Sequence, residues 1–92
     1  MSYALRLAAE AKRGLAALPV AVQEETLDRI DGLTIDPPGS SRSGPAFPEE
    51  VVDFVAKWEN QRYYVFIVVR FDHRLKTVRV DSVGHVVRTG MA

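Results

Sequence analysis

Cysteine is absent from this 92-residue chain, and its absence excludes a disulfide framework, a thiolate nucleophile and a thiolate zinc site. Two isolated histidines, His73 and His85, make a poor metal cage by themselves. No metal and no cofactor is expected. No run approaches the roughly 20 apolar residues that a membrane helix requires, and the opening MSYALRLAAEAKRG lacks the long apolar core of a signal peptide. The expectation is a soluble, cytoplasmic protein without membrane contact. Internal repeats and low-complexity tracts are missing too. The length suits a single domain over residues 1–92, small enough that burial alone stabilises it only marginally.

Net charge is also lacking: 12 Lys/Arg balance 12 Asp/Glu. The two signs are nevertheless segregated. Residues 1–56 hold five basic and nine acidic side chains, residues 57–92 seven and three. The strand-rich half is the basic half, as a surface for phosphate or for an acidic partner requires.

Weak alternation over residues 2–7 predicts a first strand. Ala8, Ala11, Leu15 and Leu18 then recur at helical spacing. Gly14 weakens that helix by about 1 kcal/mol relative to alanine, which leaves packing to hold it. Pro19 starts a second helix, expected to turn Val20, Leu27, Ile30 and Leu33 inward and Glu24, Glu25, Asp28 and Arg29 to solvent. Asp36-Pro37-Pro38 ends it. Residues 37–50, rich in proline, glycine and serine, carry no period and read as a mobile loop. Three strands follow, over residues 51–58, 62–71 and 76–83, with turns at residues 59–61 and 72–75.

The strand over residues 62–71 is apolar on both faces near its middle, with Tyr63, Val65, Ile67, Val69 and Phe71 on one side and Tyr64, Phe66, Val68 and Arg70 on the other. Two short helices cover one face only. The aliphatic odd-numbered set is assigned to the helices, which leaves Tyr64, Phe66 and Arg70 open. In the last strand, Val78 and Val80 facing the helices send Arg79 and Asp81 to the open side, and Lys57 shares a side with Asp53 on the second. Aromatics mixed with cations form a surface that stacks on bases and contacts phosphates. A plainer reading packs Tyr64 and Phe66 beneath the C-terminal tail, and a slip of one residue inverts every assignment. His73 reads as structural or solvated, Trp58 and Tyr63 as core.

The phrases LPVAVQEETLDRIDGLTIDPP (residues 18–38) and KTVRVDSVGH (residues 76–85), with a helix end L-x-x-D-P at residues 33–37 and V-G-H at residues 83–85, resemble the RelE/ParE superfamily of small bacterial toxins. The short hairpin places the chain nearer the RelE branch. That resemblance implies an α+β fold of order β-α-α-β-β-β, a helical hairpin packed on one face of a small, mainly antiparallel four-stranded sheet. It also implies a type II toxin-antitoxin toxin, a messenger-RNA endonuclease that inhibits translation on the ribosome and is bound by a cognate antitoxin in a hetero-oligomer. Two alternatives stand beside it: a ParE-like inhibitor of DNA gyrase, and an inactive toxin-like domain that only binds its antitoxin. Phe66 stands where the RelE pattern has an arginine early in the third strand. Val86 and Gly90 stand where it has a C-terminal arginine and tyrosine, and the loop before the second strand, often lysine-rich, holds only Arg42.

In such an endonuclease a ribose 2′-hydroxyl attacks the adjacent phosphate without a metal. A base takes its proton, cations hold the phosphorane and an acid protonates the leaving 5′-oxygen. His85 is the candidate acid and base, because imidazole exchanges protons near neutral pH, and Arg70 and Arg79 are the candidate catalytic cations. Lys57, Arg62, Tyr64 and Arg88 form the candidate RNA-binding set. A histidine after glycine at a strand end is also an ordinary surface residue.

Overall fold

The computed structural model describes residues 3–35 and 49–89. Of the loop expected over residues 37–50, residues 37–48 with Arg42 lie outside the described residues, as do Asp36 and Gly90, while Glu49 and Glu50 belong to β2 instead. The elements are β1 (Ala4–Leu7), α1 (Ala9–Ala16), α2 (Val20–Ile35), β2 (Glu49–Trp58), β3 (Gln61–Asp72) and β4 (Thr77–Thr89), in the expected order. The strands form one mixed sheet in the order β1-β4-β3-β2. β1 runs parallel to β4, and the other two pairings are antiparallel. No helix among the described residues is long and apolar enough to cross a membrane.

β2 and β4 are longer than the sequence pattern indicates. β2 begins at Glu49, and β4 continues past Val83 until Thr89 pairs with Gln61. The apolar signal fades at Gly84 and His85, but β3 offers backbone partners along its whole length, so the ladder continues without it. Glu59 and Asn60 make the tight β2–β3 turn, with Glu59 in the left-handed region at φ 54°. The β3–β4 turn is held by Asp72, whose buried carboxylate accepts the backbone N–H groups of Arg74 and Leu75, each at 3.0 Å. Asp72→Ala leaves two turn donors without this acceptor. The expected loss is about 1–2 kcal/mol, read as a lowered urea midpoint at unchanged slope.

The odd-numbered side chains of β3 are buried as expected, with Val65, Ile67, Val69 and Phe71 fully so. Phe54 and Ala56 from β2 and Val78, Val80 and Val83 from β4 complete the sheet's share of the core. From the hairpin, Ala11, Leu15 and Leu18 pack onto it, as the spacing predicts. α2 is turned only partly as expected: Ile30 is buried and Leu33 packs against the core, but the other two are not. Val20 and Leu27 are 68% and 43% exposed, and the buried stripe is Val22, Thr26, Ile30 and Thr34. The threonines can be buried because each satisfies its own hydroxyl on the helix. Thr26 Oγ1 donates to the Val22 carbonyl and Thr34 Oγ1 to that of Asp31, both at 2.7 Å.

Two further contacts bind distant parts of the chain. Tyr3 donates its backbone N–H to the Thr34 carbonyl at 2.7 Å, and its hydroxyl lies 2.8 Å from Nδ1 of His73. The His73 ring stacks on Phe71 at 6.0 Å, so this histidine has the structural place expected of it. Along β4, Val69 opposes Val80 but Val68 opposes Ser82, which leaves Asp81 as an unpaired extra residue, a β-bulge.

Candidate nucleic-acid interface

Both helices pack on one face of the sheet, and the register arranges the other into rows that cross the strands. At one end Lys57, Arg62 and Arg88 stand side by side. Next come Val55, Tyr64 and Val86, then Asp53, Phe66 and Gly84, then Val51, Val68 and Ser82. The last row, Glu49, Arg70, Arg79 and Arg6, extends onto β1. A middle that is largely aromatic and aliphatic thus separates two rows rich in cations. Arg70 lies eight residue steps along β3 from Arg62, about 27 Å at 3.4 Å per residue.

Lys57, Arg62, Tyr64 and Arg88, the set singled out for RNA binding, converge at one end. Arg62 and Arg88 are directly paired across β3 and β4, Lys57 pairs with Arg62 from β2, and Tyr64 lies between them and the apolar floor. Two shallow depressions open here, one lined by Arg62, Tyr64, Arg88 and Thr89, the other by Tyr64, Phe66, Val86 and Arg88. Phe66 is 38% exposed, and across from it Gly84 has no heavy atom within 4 Å of where a Cβ would sit. The ring edge therefore borders open space, which suits a planar ligand group.

Arg70 and Arg79 share this face but occupy its far end. His85 faces the other way. It pairs with Val65, and its ring lies 5.8 Å from that of Tyr63, on the side where the helices pack. The bulge is responsible: strict alternation from Val80 would carry His85 to the open face with Arg79, and the extra residue at Asp81 reverses every side chain after it. Of the three candidate catalytic residues, Arg70 and Arg79 are directly paired across β3 and β4, and His85 is not brought to them.

Like charges directly opposite one another destabilise a sheet, and the two cationic rows handle this differently. At the far end Asp81 inserts its carboxylate between two guanidinium groups, at 2.8 Å from Arg70 Nε and 3.0 Å from Arg79 Nε, and Glu49 approaches Arg70 Nε at 3.2 Å. Arg62 and Arg88 have no such pairing among the described residues. Arg6 is the member of the far row that local pattern could not identify, because only the parallel β1–β4 register brings it beside Arg79. Among the described residues no three His, Asp or Glu side chains converge to hold a metal ion.

No family model matches the sequence, and no curated protein matches it. Solved structures match the fold over almost the whole chain. The toxin-antitoxin complex RelBE2 from Mycobacterium tuberculosis has a TM-score of 0.60 at 20% identity, over 94% of this chain and 100% of that one. A mutant of the E. coli toxin RelE in the free state has a TM-score of 0.65 at 18% identity, over 91% and 83%. The archaeal RelE-RelB complex from Pyrococcus horikoshii has 0.58 at 15% identity, over 91% and 94%. At these identities the likeness is one of fold, and the fold is RelE-like.

Proposed function

We propose that the chain is a cytoplasmic toxin of a type II toxin-antitoxin pair, and that its open sheet face holds messenger RNA on the ribosome and cleaves it. The observation that carries this reading is the Lys57, Arg62 and Arg88 row beside Tyr64, on the face opposite the helices of the described residues. Guanidinium and ammonium groups at strand spacing suit successive phosphates, and the adjacent aromatic surface suits a base. Zero net charge gives little long-range attraction for free RNA, so the ribosome has to present the substrate. With His85 on the opposite face, the Lys57 ammonium and the Tyr64 phenol are the proton-carrying groups at this end. Lys57, as its neutral amine, would take the proton of the attacking 2′-hydroxyl, and the Tyr64 phenol would give one to the leaving 5′-oxygen.

The partner is an antitoxin segment that folds on binding. Exposed Val51, Val55, Phe66 and Val86 would receive its apolar side, and acidic side chains at its ends would meet the two cationic rows. Two of the three similar structures named above are toxin-antitoxin complexes, which supports this part of the reading.

Addition of the purified protein to a translating extract tests the proposal. Synthesis should stop, and messenger RNA should be cut only when ribosomes are present. His85→Ala should stay within about threefold of the parent, against the roughly 10²–10⁴ lost when a proton-transfer group is removed. A second reading, binding without cleavage, is favoured by Phe66 and Val86, apolar residues on the floor of the face. Blocked synthesis with intact messenger RNA would select it. Undisturbed translation with inhibited DNA supercoiling would select the gyrase reading instead.

A further inference from the structure

The far row of the open face forms a depression of about 350 Å³ lined by Arg6, Arg70, Asp72, Thr77 and Arg79. Three arginines from β1, β4 and β3 lie side by side there. We propose that this depression is a second anion subsite, built for a phosphate group, two of whose arginines, Arg70 and Arg79, are held at rest by the neighbouring Asp81 carboxylate.

Three features carry the proposal. First, adjacent guanidinium groups on neighbouring strands repel one another unless an anion lies between them. The fold supplies that anion by inserting an extra residue into β4, whose carboxylate places one oxygen on Arg70 Nε and the other on Arg79 Nε. Second, these contacts use the Nε edges, while the side chains of Arg70 and Arg79 remain 53% and 62% exposed. Arg6 is exposed as well, and no carboxylate lies within ion-pair distance of it among the described residues. Guanidinium donors therefore still face solvent, in the fork geometry that suits phosphate oxygens. Third, the carboxylate that lines the depression, Asp72, is already engaged by two turn N–H groups, which partly offset its charge.

The phosphate could come from the backbone of an RNA strand lying along the face or from free inorganic phosphate. The site does not depend on RNA cleavage, so the test separates this proposal from the preceding one. Guanidinium Nε–Hε signals of the full chain would be followed by NMR, with inorganic phosphate in one arm and a short single-stranded RNA in the other, at constant ionic strength. Signals of Arg6, Arg70 and Arg79 should shift and saturate with phosphate. Arg6→Ala should weaken the apparent affinity about tenfold, the equivalent of one charge-assisted hydrogen bond. Asp81→Asn should strengthen it, because the anion that bridges Arg70 and Arg79 is gone and only Glu49 still pairs with Arg70. RNA moving these signals together with those of Arg62 and Arg88 would identify the backbone as the source. A response to inorganic phosphate alone would identify the free ion. Signals that stay still in both arms would overturn the proposal, as would an Asp81→Asn variant that binds phosphate more weakly than the parent.

Discussion

Gly14→Ala should destabilise this protein by about 2 kcal/mol or more, although helix propensity alone predicts the opposite sign. In an isolated helix the substitution would stabilise by about 1 kcal/mol. Here a Cβ built on Gly14 collides with the carbonyl oxygen of Val83 and comes within 2.8 Å of its carbonyl carbon. Both atoms belong to the backbone of β4, so no side chain can rotate away. Either α1 lifts from the strand or β4 bends, and both disturb the packing of Leu15 against Val83 and its neighbours in the core. Overpacking of this kind typically costs about 1–3 kcal/mol, and more where rigid backbone is involved. Against a total of about 5–15 kcal/mol for a folded domain, the loss should appear as a large drop in urea midpoint. A midpoint equal to or above that of the parent would show that α1 does not press on β4 in solution.

If the open face holds RNA as proposed above, replacing Lys57, Arg62 and Arg88 together by alanine should weaken RNA binding sharply and leave the fold as stable as before, or more so. Three cations stand directly opposite one another on adjacent strands, an arrangement that destabilises a sheet by a few tenths of a kcal/mol per pair or more. All three are exposed, so truncation leaves no cavity. The sequence keeps them at a cost in stability, which fits a site selected for binding. If each contacts one phosphate of a single strand, log affinity against log salt should flatten by about 2, from about 0.7 per contact. Affinity at low salt should fall by a factor of about 10² or more, with the thermal midpoint unchanged or raised. A triple variant that keeps its salt slope would move the RNA to another part of the surface.

Much of this architecture is legible in the residues. The two-faced pattern of β3 and the apolar spacing of α1 predict what is buried, because both depend on periods of two and 3.6 that a few large side chains reveal. The face of α2 is less legible. Val20, Leu27, Ile30 and Leu33 make an acceptable stripe on paper, and nothing local indicates that Thr26 and Thr34 can be buried by bonding to carbonyls of their own helix. His85 is displaced by a single residue. The one sign of the bulge is that Val78, Val80 and Val83 are spaced by two and then by three, a break in alternation at Asp81-Ser82. Arg6 had no local sign, since its neighbours come from a pairing between the two ends of the chain.

That pairing also sets when the sheet can be completed. β1 is the first described strand to be synthesised, and among the described residues its only partner in the sheet is the last strand. Contacts this distant in sequence form late, because the intervening chain has to be ordered before the ends can meet. At roughly 5–20 residues per second of synthesis, β1 waits on the order of 10 seconds for β4 to be made. Until β4 is made, β3 lacks the strand that carries Arg88 and Arg79, so neither cationic row is complete. If the chain acts on translation in the way proposed above, its binding face is assembled only by the last strand to be made.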